Sequence, residues 1–460
     1  MTTSSEIQPQ FRWSSRLALI FAASGFSVGL GNIWRFPYLT GENGGAAFIL
    51  VYLACAFGIG LPLVMAELML GRRGKRGVVG SLQAVAAKSG ASERWGWIGK
   101  LALLATFAIL SYYVVIAGWT LDYMVRATTG TFAGIGRQDS TAVFQSLMDS
   151  PWRMIVWGAI TIGVTGLAVG RGLQGGIEKV TGILMPLFFV GLVLFAGYAL
   201  LVGDAASAMR FLFVPDFSKI DGAVIAMAVG QAFFSVGVGF GTMVSFGSYL
   251  EEDVSIGSTA AIIVAADTAV ALVAGLTIFP FVFLYGLEVT SGPGLVFETL
   301  PVAFGAMPAG ELVGLAFFFL LFIAAITSCV GLLEPLAKRV RAVLGMRLPA
   351  ATAMLGLLVF VASLGTVLSF NEWAGVYPLS VFAPFAESTI YVVQDYIAVN
   401  VLLPVGSLLT AIFTGWFANR RFWAEELSIG GPIAKAFWLP AMRYVIPIAI
   451  ATLLIWAQLG

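Results

Sequence analysis

The chain has 460 residues, 59% of them hydrophobic and only 11% charged. At a mean hydropathy of +0.95, charge is too scarce to cover a water-facing surface, which excludes a soluble globule. A net charge of +1 gives no electrostatic basis for a nucleic-acid partner. The lack of histidine removes imidazole proton relays, His metal ligands and Ser-His or Cys-His nucleophiles, so conventional enzyme chemistry is disfavoured.

In chain order, the apolar residues fall in runs of about 18 to 28, each able to cross a hydrocarbon core roughly 30 Å thick as a helix. They do not alternate as β-barrel strands do. The runs lie near 16–40, 45–70, 97–126, 151–170, 178–203, 223–250, 256–286, 310–338, 349–370, 388–417 and 436–458, about eleven spans of an all-α domain whose solvent is the lipid bilayer. The first run continues through Arg35-Phe36-Pro37 with no small-residue cleavage site, so it reads as a retained span. With the N-terminus cytoplasmic, roughly three-quarters of Lys and Arg fall on the inner side, including Arg72, Arg73, Lys75, Arg76, Lys338, Arg339, Arg341, Arg420 and Arg421. Cys55 and Cys329 both lie inside spans and read as small apolar fillers.

An internal echo organises the chain. Phe26-Ser27-Val28-Gly29-Leu30-Gly31 in the first run is nearly repeated as Phe234-Ser235-Val236-Gly237-Val238-Gly239 in the sixth. Five spans separate the copies, so the two halves are inverted. Small residues alone also permit close helix packing, but glycine-interrupted helices at matching places in opposed halves point to a substrate site at the bilayer midplane. Broken backbone is tolerated there only if it lines a cavity or binds something.

Gly29-Leu30-Gly31-Asn32-Ile33-Trp34-Arg35-Phe36-Pro37-Tyr38, followed by Glu42-Asn43-Gly44-Gly45, resembles the first-span signature of the neurotransmitter:sodium symporters. The resemblance runs on through Pro62, Glu67-Leu68-Met69-Leu70-Gly71-Arg72, Tyr112-Tyr113, Gly230-Gln231-Ala232-Phe233-Phe234-Ser235 and Thr327-Ser328. It implies a LeuT fold of two inverted five-helix repeats with discontinuous helices 1 and 6, here in an eleven-span bacterial inner-membrane member. The corresponding divisions are a leader at 1–15, repeats at 16–203 and 204–417, and a cytoplasmic loop with a peripheral eleventh span at 418–460. The expected function is Na⁺-coupled symport of a neutral amino acid by alternating access, in a monomer or weak dimer.

By resemblance, two sodium ions are implied. The first takes the Ser27 carbonyl, Asn32, Ser235, Asp267 and the substrate carboxylate; the second takes the carbonyls of Gly25, Val28 and Ala324 with the hydroxyls of Thr327 and Ser328. Hydroxyls in mid-helix otherwise bond their own backbone. Asp267 stands where chloride-dependent relatives commonly carry Asn, and a buried carboxylate needs a cation, so chloride independence is expected. The zwitterion's carboxylate is expected at the amides of Leu30 and Gly31 and the Tyr113 hydroxyl. Its side chain is expected among Phe26, Ile109, Phe234, Gly237, Phe240, Gly331 and Leu332, with Ser27, Ser235 and Ser328 also lining the site. Gly29 replaces the amine-pairing aspartate of monoamine carriers. Phe26 is larger than usual, while Gly237 and Gly331 leave room for a bulky or aromatic substrate. The span 6 pattern also resembles GABA-type carriers, which keeps a β- or γ-amino acid open (GABA, taurine, β-alanine).

The resemblance assigns Arg35 and Asp395 to an extracellular gate, with Phe240 and Tyr113 as its lid. On the cytoplasmic side, the places of the family's usual arginine and aspartate hold Gln10 and Ala342, so the usual ion pair is expected to be absent, with Arg12 beside Trp13 left as an alternative arginine for a shifted partner. A non-transporting amino acid sensor and a proton-coupled carrier using Glu67 or Asp267 are the competing readings on the same scaffold.

Overall fold

The computed structural model describes residues 12–287, 292–428 and 431–459, apart from the side chains of 428, 431–435 and 456–459. Every segment expected from hydropathy is helical. Among the described residues, nine helices are long and apolar enough to cross a membrane. A bent pair, Arg16–Ser27 with Gly31–Glu42, forms span 1 with a 55° turn between its halves. The continuous helices are span 2 (Ala46–Gly74), span 4 (Pro151–Gly170), span 5 (Leu173–Val202), span 7 (Ile256–Leu284), span 8 (Gly310–Leu344), span 9 (Leu348–Ser369), span 10 (Ile390–Phe417) and span 11 (Ala436–Ile455). Span 3 is Trp97–Thr128.

The run at 223–250 is broken at its repeated glycines, as the echo of span 1 implied. Span 6 is two helices, Gly222–Val236 and Thr242–Gly247, each too short to cross alone. Gly237, Gly239 and Gly241 between them all have positive φ, at 75°, 86° and 76°. An L-residue there would cost roughly 1–2 kcal/mol in left-handed backbone, so this alternation of glycines forces the helix open. Span 1 breaks differently: Val28 turns extended (φ −72°, ψ 103°) and its amide closes the helix on the Ser24 carbonyl at 2.7 Å.

Free backbone groups inside a membrane must find internal partners, and side chains supply them. Glu67 of span 2 accepts from the Gly239 amide at 2.7 Å, and Thr106 of span 3 donates to the Phe240 carbonyl at 2.7 Å. Ser27 donates to the Val236 carbonyl at 3.1 Å, and the Gln231 amide to the Gly31 carbonyl at 3.1 Å, so each broken helix is stitched to the other.

Proline shapes the remaining spans. Helical turns widened to the i+5 pattern at Gly31–Arg35, Ala56–Gly60, Leu295–Thr299, Ile397–Leu402 and Ala441–Val445 end just before Pro37, Pro62, Pro301, Pro404 and Pro447 respectively. Proline lacks an amide and crowds the carbonyl four residues back, so the preceding turn loosens to admit it. Span 11 lies at the rim but is anchored: Trp438 is buried and donates its indole N–H to the Pro62 carbonyl of span 2 at 2.9 Å. Ion pairs from buried Arg72 and half-buried Arg73 to buried Glu426 hold the preceding helix, Arg420–Ser428, to the end of span 2. Cys55 and Cys329 are buried free thiols.

Candidate functional site

The two breaks face each other beside span 8, and three groups of residues converge there. The first group is a buried polar cluster. Asn32, just past the break in span 1, reaches Asp267 of span 7 at 2.8 Å and Ser235 of span 6 at 3.0 Å. Ser235 in turn donates to the other Asp267 oxygen at 2.7 Å. Asp267, Asn32 and Ser235 are all at most 1% exposed. The sequence reading missed a fourth member, Tyr52 of span 2, whose hydroxyl lies 3.2 Å from Ser235 and 3.5 Å from Asp267. No motif marks it; only its seat opposite Ser235 reveals it. Ser27, named for this group by its carbonyl, turns its hydroxyl to the Val236 carbonyl of span 6.

The second group gathers where span 8 crosses the break of span 1. The Ser328 hydroxyl donates to the Phe26 carbonyl at 3.0 Å and lies 3.3 and 3.4 Å from those of Val28 and Gly25. Thr327 faces Gly25 and holds its own hydroxyl against the carbonyls of Ile323 and Ala324, at 2.9 and 3.2 Å. The structure therefore brings Gly25, Val28, Ala324, Thr327 and Ser328 together. The first group offers hydroxyl, amide and carboxylate oxygen and the second carbonyl and hydroxyl oxygen, the donors a hard monovalent cation prefers. Among the described residues no trio of His, Cys, Asp or Glu converges as a metal site.

Between the two groups lies a cavity of about 30 Å³ bounded by Phe26, Ser27, Gly29, Gly31, Asn32, Ile109, Tyr113, Phe234, Ser235, Gly237, Phe240, Ser328 and Leu332. At its polar end the Leu30 amide donates to the Tyr113 hydroxyl at 3.0 Å. Leu30 therefore offers only its backbone, and its side chain does not line the cavity. Gly29 has no room for a side chain: a Cβ there would meet the Tyr113 hydroxyl at 2.6 Å.

The apolar end corrects one expectation. Gly237 and Gly331 do not leave free room, because the Phe26 ring fills it: a Cβ on Gly237 would come within 2.5 Å of that ring, and one on Gly331 within 2.6 Å. Gly331 supports Phe26 and does not line the cavity. Phe26 packs edge-on against Phe240 at 5.5 Å, which itself meets Phe234 at 6.4 Å, so the wall is a chain of aromatic rings.

On the side away from the leader, Arg35 and Asp395 both lie close to Tyr112 and Tyr391 but are not in ion-pair contact. Arg35 instead sits 5.2 Å above the Phe234 ring. On the leader side, Gln10 falls outside the described residues. Ala342 lines a cleft of about 820 Å³, whose walls include Arg12, Glu251, Tyr249 and Lys338. Arg12 pairs with Glu251 at 2.8 Å, and Trp13 is buried, donating to the Phe246 carbonyl at 3.1 Å.

A bundle with two broken helices crossing at mid-membrane, flanked by two oxygen-rich clusters and a small cavity, is built as a secondary transporter. A family profile, the sodium:neurotransmitter symporter family, matches residues 10–136 and 137–456. The crystal structure of MhsT in complex with L-phenylalanine superposes at a TM-score of 0.88 and 38% identity, covering 97% of this chain and 99% of that one. An uncharacterized sodium-dependent transporter of Bacillus subtilis (strain 168), YhdH, is 33% identical over 446 residues, 96% of each chain. The sodium-dependent neutral amino acid transporter B(0)AT2 of Bos taurus is 33% identical over 272 residues, 52% of this chain and 36% of that protein. The chain belongs to the sodium:neurotransmitter symporter family and has its LeuT fold. It is a multi-pass membrane symporter, coupled to sodium and working by alternating access.

Proposed function

We propose that this symporter carries neutral L-amino acids with large apolar or aromatic side chains into the cell, together with two sodium ions and without chloride. The observation that carries the reading is the Asp267 carboxylate at the centre of the Asn32, Ser235 and Tyr52 cluster, beside an aromatic-walled cavity. A fixed negative charge there does for sodium what a bound anion would otherwise do. The amides of Leu30 and Gly31 and the Tyr113 hydroxyl take the substrate carboxylate, which completes the first sodium site and links the two affinities reciprocally. The second sodium sits among Gly25, Val28, Ala324, Thr327 and Ser328 and holds span 1 against span 8.

The substrate class follows from the walls. Gly29 leaves no place for a counter-charge to a lone amine, which favours a zwitterion. Phe26, Ile109, Phe234, Phe240 and Leu332 supply no polar partner for a substrate side chain. MhsT, so similar over nearly the whole chain, was crystallised with L-phenylalanine. In the conformation described the cavity is too small for such a side chain, so its walls must part to admit it.

The positive-inside pattern places the leader and the 820 Å³ cleft in the cytoplasm. Residues 16–203 and 204–417 form the two inverted repeats, and Arg35 with Asp395 closes the outer vestibule as its walls draw in. Sodium-dependent binding of radiolabelled L-leucine, competed with a panel of neutral amino acids, tests the substrate class. Phenylalanine and methionine should displace it well, and GABA, taurine and β-alanine poorly; the reverse order would reject the assignment.

A further inference from the structure

We propose that the outer loop between spans 9 and 10, residues 371–389, is a lipid anchor. It lies in the boundary between headgroups and acyl chains of the outer leaflet, and from there it steadies the outer end of span 10. The inference rests on the membrane-spanning fold, with the orientation given above, and on nothing about the substrate.

Composition and exposure set this loop apart. From Trp373 to Ala386 it has no charged residue, and its polar side chains are the hydroxyls of Tyr377 and Ser380; Glu372 and Glu387 stand at its ends. The outer loop between spans 3 and 4 is built the other way, with Arg137, Asp139 and Asp149 in its sequence and with Phe132, Leu147 and Met148 buried. The loop between spans 7 and 8 likewise buries Phe297, Leu300 and Phe304. In 371–389 Val381 is 86% and Phe382 57% exposed, and Trp373, Val376 and Tyr377 lie open beside them. The loop between spans 5 and 6 also exposes Phe213, Val214 and Phe217, but sets them among Arg210, Asp216, Lys219 and Asp221. An uncharged apolar surface of this kind marks a face that something covers.

Position identifies the cover. The Trp373 amide donates to the Leu368 carbonyl in the last turn of span 9 at 2.8 Å. The Asn371 side chain donates to the Met148 carbonyl at 2.9 Å, three residues before span 4 begins at Pro151. The next residue of span 4, Trp152, is 72% exposed, and an exposed indole at a span end belongs at the membrane–water interface. The loop therefore starts at that level. It joins spans whose exposed residues, Leu357, Leu358 and Val361 of span 9 and Val392 and Ile397 of span 10, already face lipid, so its apolar side chains continue that surface. Its backbone also suits a partly apolar setting, where polar groups need internal partners. The amides of Ala374, Val376, Phe382 and Phe385 each close a turn on the carbonyl three residues back, at 2.8 to 3.0 Å.

The loop feeds directly into the first turns of span 10. Phe385 meets the Tyr396 ring at 5.0 Å between centres, and the Tyr391 amide donates to Ser369 of span 9 at 3.1 Å. Gln394 donates to the Ala108 carbonyl of span 3 at 2.8 Å, and Asp395 beside it lies close to Tyr112. Lipid that holds the loop fixes the depth of these residues while the vestibule they border opens and closes.

Electron paramagnetic resonance of the full-length protein in proteoliposomes of phosphatidylcholine and phosphatidylglycerol tests this. Cys55 and Cys329 are buried, so a nitroxide attaches selectively to Val381→Cys and, as a water-facing reference, to Gln138→Cys, an exposed position between spans 3 and 4. Oxygen, which concentrates in lipid, should relax the Val381→Cys label severalfold more than a water-soluble nickel chelate does, with the order reversed at Gln138→Cys. The double variant Val381→Asp, Phe382→Asp should speed hydrogen–deuterium exchange of Ile390–Tyr396 by about tenfold, the lower end of what loss of one large apolar side chain's burial implies. Gln138→Asp should leave that exchange unchanged. Nickel access at Val381→Cys equal to that at Gln138→Cys would overturn the proposal. So would spin–spin broadening at Val381→Cys that disappears when unlabelled chain is added to the reconstitution, because the cover would then be a second copy. Unchanged exchange in the double variant would overturn the link to span 10. Failure of the wild type to accumulate an amino acid would defeat the transport reading without altering either readout.

Discussion

Replacing Asp267 with Asn keeps the shape of the buried cluster and removes its only full charge. The two Asp267 oxygens lie 2.8 Å from the Asn32 amide nitrogen and 2.7 Å from Ser235. A sodium ion bound by Asn32 and Ser235 is therefore roughly 4 Å or less from the carboxylate, where opposite unit charges attract by about 4 kcal/mol at an effective dielectric of 20 and about 1 kcal/mol in water. Relief of the buried charge in the sodium-free state offsets part of this. A net loss of about 1.4 to 3 kcal/mol corresponds to a sodium affinity weakened tenfold to a hundredfold. The assay is the Na⁺ concentration for half-maximal uptake, in gluconate and in chloride. Wild type should give the same value in both. Asp267→Asn should be weakened in gluconate and partly restored by chloride, whose charge replaces the missing one beside Tyr52 and Ser235. An unchanged Na⁺ requirement in Asp267→Asn, or chloride-dependent wild-type uptake, would refute the reasoning.

Further outcomes follow from other contacts. Phe26→Ala empties the space that Gly237 and Gly331 concede to this ring, so inhibition of uptake should shift toward tryptophan over leucine; an unchanged order of inhibitors would show that Phe26 does not set size. Ser328→Ala removes the hydroxyl lying on the carbonyls of Gly25, Phe26 and Val28 and should raise the Na⁺ requirement about tenfold, the scale of a lost bond to a charged group. Trp438→Phe loses the indole bond to Pro62 and should cost about 1 kcal/mol of stability, read as a lower melting temperature with the affinity for substrate intact.

The broken helices could be anticipated because membrane backbone obeys a strict rule: glycines repeated at mid-span in opposed halves have few uses other than an opening. The spans themselves followed from hydropathy alone. What escaped the sequence was pairing across helices. Tyr52 sits in a plain apolar run, and nothing local shows that it faces Ser235. Phe26 and its two glycines read separately as a bulky residue and two vacancies, whereas in space they are one complementary fit. Nothing local marks partners for Glu334 or Lys338; their hydrogen bonds with Tyr249 and Ser248 depend on how span 6 resumes after its break. Arg35 and Asp395 both lie beside Tyr112 and Tyr391 without pairing, and Arg35 sits over Phe234, an arrangement that no spacing reveals.

The most direct test is uptake of radiolabelled L-phenylalanine into proteoliposomes under an inward Na⁺ gradient, with chloride replaced by gluconate. The account predicts accumulation above equilibrium that collapses when the gradient is dissipated. Binding without accumulation would make the chain a sensor, and accumulation driven by a pH gradient alone would make it a proton carrier. Either result would contradict sodium-coupled symport.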